Sequence, residues 1–264
     1  MGIEFHLSDY DWHAALAALA WQVDLGVTEF SLDTPVDRYA LPEKLETAPK
    51  PKAPAIVHHE APKIDTAQAA EAAANACTDL AGLRAALGTF DHCELKKGAR
   101  NLVFADGNPN AHLMVVGDAP NREEDLEGRP LLGPAGQLLD KMLAAIGHSR
   151  NHEDPAKAAD ITKAVPWRLP HNTDPTESDI AMLRPFLQRH IALIKPRVII
   201  AFGNTACTAL LGQTGITRLR GTWATSAGIA VMPMVHPTAL LKNHAAKRDA
   251  WADLLAVQAK LLAP

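Results

Sequence analysis

Along this chain the apolar residues fall into two kinds of run. Four are short, rich in Val, Ile or Met and closed by turn formers or a polar residue: HLMVVGD (112–118), DITKAVP (160–166), RVIIAFG (197–203) and IAVMPMVH (229–236). Short apolar runs of this kind predict buried strands. Around them lie longer stretches of helix formers, GQLLDKMLAAIG (136–147), TESDIAMLRPFLQRHIALIK (176–195) and NTACTALLG (204–212). Strands alternating with helices predict an α/β fold, three layers α/β/α around a short, mostly four-stranded parallel sheet. Ligands of such sheets bind beyond the carboxyl ends of the strands. The residues there are Asp118, Ala119 and Pro120, then Trp167 to Asn172, then Gly203 and Asn204, and last His236 and Pro237. These loops offer acid, amide and imidazole side chains.

The N-terminal quarter follows another pattern. Residues 10–24 place Trp12, Leu16, Leu19 and Val23 at helical spacing and predict a short amphipathic helix. Residues 34–63 are rich in Pro and Ala with almost no apolar period, which predicts a flexible, extended linker. Order is expected to resume near Asp65, where TAQAAEAAANA and DLAGLRAAL are strong helix formers. The expected organisation is therefore an N-terminal extension, 1–64, and a globular domain, 65–264.

Composition narrows the function classes. The chain has 264 residues, 47% apolar and 21% charged, enough for one full core with material left for an extension. No apolar run approaches the roughly 18 to 20 residues that span a bilayer, and MGIEFHLSDY carries acids where a signal peptide needs a basic start. No membrane association and a cytoplasmic location are expected. Cys77, Cys93 and Cys207 are odd in number and share no CxxC spacing, against both a disulfide framework and a self-contained metal site. The net charge of −4 hides an asymmetry, since residues 1–64 hold ten acids against five bases. The remainder is nearly neutral, so contact with nucleic acid must rest on a local patch.

The stretch VVGDAPNREEDLEGRPLLG (115–133) runs from the first strand through Gly117 and Pro120 into Glu123, Glu124 and Asp125. It lacks the Lys and Ser/Thr of a phosphate-binding loop and the GxGxxG spacing of a dinucleotide site, and its acids would repel phosphate. Glu123 and Glu124 read as acids that begin or solvate a helix, favoured there by its dipole. Asp118 differs, because it directly ends an apolar strand.

Three segments together carry a resemblance: GDAPNREEDLEGRPLLGPAGQLLDKML; LPHNTDPT leading into RPFL; and HPTALLKN followed by AAKRDAW. In order and spacing, from about Asn101 to Trp251, they are similar to the uracil-DNA glycosylase superfamily, above all its family 4 enzymes. The resemblance implies hydrolysis of the N-glycosidic bond of uracil in DNA, leaving an abasic site. Such chemistry needs the base flipped from the stack, held by its Watson–Crick edge, and relieved of the charge it gathers as it leaves. It implies Asp118 in place of the family Glu that positions water or steadies the sugar cation, on a side chain one methylene shorter. It implies Asn172 as the reader of the base edge and His236 as donor to uracil O2. Gly117, Ala119, Pro120, Asn121, Asp125 and Leu131 would surround the base, with backbone amides of the loop cradling it. Leu240 or Leu241 would be the wedge filling the vacated stack, with Lys242, Asn243, His244, Lys247 and Arg248 near phosphates. The residues alone leave other readings open: a loop turn at Asn172, a helix cap at His236, and a solvated helix face at Lys247 and Arg248.

The chain also departs from the pattern. The positions of the four cysteines that hold the family 4 iron–sulfur cluster are Phe90, Cys93, Trp167 and Leu183. One thiol cannot hold a four-iron cluster, so no cofactor and no metal are expected, and apolar packing should replace the crosslinks. Leu131 stands where the family has a Phe that stacks on uracil, a contact worth roughly 1–3 kcal/mol. Asn121 stands where the family has a Gly, and could adopt its left-handed geometry. Both changes suggest acceptance of other deaminated or modified bases. The motifs supply no reactive Lys for a lyase, so a monofunctional, monomeric enzyme acting on single- or double-stranded DNA is expected. The alternative is a lesion-binding protein of the same fold with little turnover. A third reading, covalent bonding to DNA, needs a His where Asn172 stands, and His171 is out of register.

Overall fold

The computed structural model describes residues 12–26, 66–170 and 173–263. The chain divides into two units, Met1–Glu60 and Ala61–Pro264. In the first, α1 spans Trp12–Asp24, as the apolar spacing predicts. Leu19, Trp21 and Val23 are exposed on it. The linker expected over 34–63 lies outside the described residues, as do His171 and Asn172.

In the second unit a single sheet forms the centre. Four strands, β2 (Leu113–Gly117), β3 (Ala159–Lys163), β4 (Val198–Phe202) and β6 (Ile229–Met234), are the four apolar runs of the sequence and pair in parallel. Two three-residue strands, β1 (Ala105–Gly107) and β5 (Ala224–Ser226), extend the sheet to six in the order β1-β3-β2-β4-β6-β5, both antiparallel at the edges. The four-stranded expectation is therefore the parallel centre of a larger sheet. The edge strands carry almost no apolar signal, and ADG and ATS become strands only because a neighbour offers them a ladder. Ala227 and Gly228, both at positive φ, close the β5–β6 hairpin tightly.

Side chains alternate along the strands and feed two buried clusters. Met114 and Val116 of β2 and Ile199 and Ala201 of β4 face one layer, with α2 (Thr66–Asn75), α3 (Leu80–Thr89), α6 (Glu177–Ile194) and α7 (Gly203–Leu211). Leu113, Val115, Ile200 and Phe202 face the other, with α5 (Gly133–Ala145), α9 (Pro237–Lys242) and α10 (Ala246–Leu262). A parallel sheet covered on both faces explains why β2 and β4 are apolar along their whole length. The short helices α4 (Arg122–Glu127) and α8 (Ile216–Leu219) lie between these elements in the chain.

Local chemistry sets the helix ends. Thr176 and Asp179 form a reciprocal capping box at the start of α6. Asn121 and Glu124 form another at α4, which Gly128 ends in the left-handed region.

Candidate active site

Strands β2, β4 and β6 run in parallel, so their carboxyl ends deliver Asp118, Gly203 and His236 to one edge of the sheet. Asp118 and His236 line a single cleft of about 370 Å³ together with Asp174, Pro175, Gly203, Asn204, Thr205, Ile216 and Val235. A smaller recess of about 170 Å³ shares Asp118, Asp174, Pro175 and Thr205, and adds Ala119, Pro120, Asn121, Leu169 and Thr173. Asp118 therefore stands where the two spaces meet. Asn172 lies outside the described residues, although its neighbours Thr173 and Asp174 line this cleft.

The Asp118 carboxylate leans on the start of α7. Its Oδ1 accepts from the Ala206 amide at 3.1 Å. The Thr205 amide and hydroxyl also lower the Asp118 carboxyl. A strand-end acid thus caps a helix whose own N-cap position, Phe202, offers no side-chain bond. The approach is tight: a Cβ on Gly203, where φ is +88°, would lie 2.0 Å from Asp118 Oδ2. Burial raises the Asp118 carboxyl above its ordinary value, against the lowering by the Ala206 amide, Lys163 and Thr205.

His236 is both a cap and a cleft residue. As the N-cap of α9, its Nδ1 accepts from the Thr238 amide at 3.2 Å. A ring nitrogen that accepts there carries no proton, so the imidazole is neutral with its hydrogen on Nε2. Burial and then the positive charge of Lys163 agree, pushing the His236 pKa down to about 3. Phe202 packs edge-on at 6.1 Å between ring centroids. The capping and the functional readings of His236 are thus compatible, and the cap sets the tautomer a hydrogen-bond donor needs.

Other expected site residues are placed differently. Asn121 is extended (φ −84°, ψ −174°), not left-handed, and its amide already donates to Glu124 Oε2 at 2.6 Å, so it cannot cradle a base. The Ala119 amide has no partner among the described residues. Asp125 is buried and accepts from the amides of Arg100 and Asn101 at 2.8 and 3.1 Å, tying α4 to the segment before β1 rather than facing a base. Leu131 is also buried, within the cluster that holds Phe202 and Met234, and does not line the cleft. Its backbone is at φ +50°, with its amide bonded to Glu124 and its carbonyl to Arg150. Of the two candidate wedges, Leu240 is 1% exposed in the core and cannot enter a base stack, whereas Leu241 is 36% exposed. Lys242, Asn243, His244, Lys247 and Arg248 are exposed, as a phosphate-facing patch requires.

Sequence reading missed three residues. Asp174 and Thr205 line both spaces and were hidden in a loop and a helix start. Lys163 is the third, a charge inside the buried strand β3, paired with Glu124 at 2.7 Å while both side chains are at most 2% exposed. A lone Lys in an otherwise buried strand was the available signal. Glu124, expected to begin or solvate the next segment, does start α4 but is buried by this pair.

The four positions matching the family's cluster ligands are buried together: Phe90 (7% exposed), Cys93 (3%), Trp167 (5%) and Leu183 (1%) share one apolar cluster. Phe90 meets Phe186 edge-on at 5.3 Å. Burial also pushes the Cys93 thiol up, toward the protonated form. Two hydrocarbon side chains, an indole and one thiol do not fit an iron–sulfur cluster.

An acid and a neutral imidazole at the carboxyl ends of β2 and β6, the two neighbours of β4 in a doubly covered parallel sheet, open on one cleft of an α/β protein. The family model described as the uracil DNA glycosylase superfamily matches residues 104–255, and the chain belongs to that superfamily. A type-4 uracil-DNA glycosylase of Sulfurisphaera tokodaii is 37% identical over 57% of this chain and 70% of the relative. Relatives of the same description from Archaeoglobus fulgidus (36% identical, 61% of this chain, 82% of the relative) and Pyrobaculum aerophilum (32%, 67% and 91%) agree.

Proposed function

We propose that this protein is a monofunctional uracil-DNA glycosylase of base excision repair, working in the cytoplasm as a monomer on single- or double-stranded DNA. One observation carries the reading: Asp118 and His236, from separate strands, line one cleft, with His236 held neutral and its Nε2–H free of the bond that fixes Nδ1. Water adds to the sugar carbon as its bond to the base breaks, and the bonding pair leaves with the base. The Asp118 carboxylate orients that water or steadies the sugar cation, and His236 donates to the carbonyl oxygen on which negative charge gathers. Asn172 is assigned to the base edge by motif. Leu241 is the wedge, with Lys242, Asn243, Lys247 and Arg248 at the phosphates. The Lys163 amine is engaged by Glu124, so it supports no lyase step. The unit from residue 65 onward carries this activity, without an iron–sulfur cluster. With Leu131 in the core, breadth toward other bases rests on Asn121 alone.

A second reading has its own observation. The Asp118 carboxylate is already bonded to the start of α7, which suits a lesion binder with little turnover. Excision from uracil-containing single-stranded and duplex oligonucleotides separates the two, with xanthine and 5-hydroxymethyluracil duplexes alongside. The glycosylase reading expects cleavage of uracil that drops at least a hundredfold in Asp118→Ala and His236→Ala, on the scale of losing a main transition-state contact, ~10² or more. Binding of uracil-containing DNA without cleavage by the intact protein would select the lesion binder. Iron analysis of the purified protein should return none.

A further inference from the structure

The buried ion pair behind the cleft is not used by the chemistry above. Gly117 and Lys163 are register partners on β2 and β3, and the Lys163 side chain lies across Gly117, its Nζ 3.4 Å from where a Cβ would stand. Gly117 immediately precedes Asp118, so the absence of a side chain there lets the ammonium approach the cleft wall from behind. Glu124 meets this ammonium at 2.7 Å and holds both ends of the 121–131 segment, whose first residue lines the smaller recess: the Asn121 amide at 2.6 Å and the Leu131 amide. Arg150 grips the far end through the carbonyls of Pro130 and Leu131 at 3.3 and 3.1 Å. A carboxylate with three partners and 2% exposure is held in a single position.

We propose that Lys163 and Glu124 are a positioning pair for the reaction, Glu124 fastening the 121–131 loop against the cleft and Lys163 setting a fixed positive charge behind Asp118 and His236. This rests on the reading of the cleft as a glycosylase site. A positive charge in a place closed to water favours a carboxylate at Asp118, a neutral ring at His236 and an anionic leaving base together. The directions at the two site residues agree: Lys163 lowers the carboxyl of Asp118 against the larger effect of burial, and adds to burial in lowering His236. The other groups around Asp118 are Thr205 and Cys207 of α7 and Asp174 of the loop before α6. Burial and the Asp118 charge push the Cys207 thiol up to about 12, so it stays neutral. Asp174 is exposed and opposes Lys163 only weakly.

The test compares the intact protein with Lys163→Met and with the double variant Lys163→Met/Glu124→Gln, which removes both buried charges and leaves no unpaired ion. Single-turnover excision, affinity for uracil-containing DNA, the pH profile and the NMR titration of the Asp118 carboxyl are measured on each. The expected result is a kcat loss of roughly ten- to a hundredfold at unchanged DNA affinity, the cost of a slightly misplaced site. The Asp118 titration, and with it the acid limb of the profile, should move to higher pH in both variants, and hydrogen exchange at the Asn121 and Leu131 amides should be faster in the double variant. A double variant that folds and keeps both the kcat and the Asp118 titration of the intact protein overturns the proposal. One that cannot fold assigns the pair to stability alone and overturns it as well. Should the intact protein excise nothing, the glycosylase reading fails, while the Asp118 titration and the amide exchange still decide the role of the pair.

Discussion

Asp118 serves two masters, helix and cleft, and its protonation separates them. Burial raises its folded carboxyl above the ordinary value. A raised carboxyl favours folding below the unfolded value and loses that advantage as pH climbs through the folded one. The ionised form therefore costs stability at neutral pH. Asp118→Asn keeps an oxygen for the Ala206 amide and removes the charge. It should unfold at equal or higher urea concentration than the intact protein at pH 7, with the difference shrinking toward pH 4, and its excision should fall at least a hundredfold, on the order of the ~10² expected for a transition-state contact. His236 runs the other way. Its pKa is held near 3, so no limb of the activity profile should fall at the ordinary imidazole value, and nitrogen NMR should show an Nε2–H tautomer from pH 5 to 8, a window bounded on the acid side by the value of about 3. A limb near 6.5 that disappears in His236→Gln would sink this assignment.

At the scale of elements, the junction between β4 and α7 and the short helix α9 are the informative pieces. Gly203 turns the chain at φ +88° and leaves room for the Asp118 carboxylate, which an alanine Cβ would meet at 2.0 Å. Gly203→Ala should cost about 1–3 kcal/mol from backbone strain alone, read by urea unfolding, and should lower kcat because either the carboxylate or the helix must shift. Helix α9 buries Leu240 and presents Leu241. Leu241→Ala should therefore reduce excision from duplex more than from single strands, where no stack has to be opened. Equal losses on both substrates would remove the wedge role. The helices and central strands were legible in the sequence because a period of 3.6 and a short unbroken apolar run are both local signals. The difference between Leu240 and Leu241 was not, because it depends on which neighbour faces the cluster of β6 and α10.

Across the whole molecule, charge is distributed so that the catalytic unit is nearly neutral while the first 64 residues are acidic. On the proposed reading, DNA contact depends on a few exposed cations, Lys242, Lys247 and Arg248 among them. Replacing each by Ala should weaken binding with little regard to sequence and reduce the salt slope of log K by about one. An unchanged slope in the triple variant would place the phosphate contacts elsewhere. Residues 61–264 form a unit with its own two-sided core. A chain beginning at Ala61 should keep its melting temperature and its excision rate, and changes seen only with other proteins present would assign the first unit to a partner.

The sequence by itself determined the four central strands, the helices between them, and an acid, an amide and an imidazole at the strand ends. It could do so because side-chain period and residue identity are properties of neighbouring positions. Tertiary structure alone decided the rest. It added β1 and β5, which exist as strands only beside β3 and β6. Leu131, Asp125 and Leu240 were drawn into the interior, and the Asn121 amide was taken up by Glu124. It also set Lys163 against Glu124 and turned His236 into a neutral donor. The burial of Leu131, Asp125 and Leu240 and the pairing of Lys163 with Glu124 depend on groups far apart in the chain meeting where water is excluded. There an unpaired charge or amide is costly, and the packing, not the local pattern, chooses its partner.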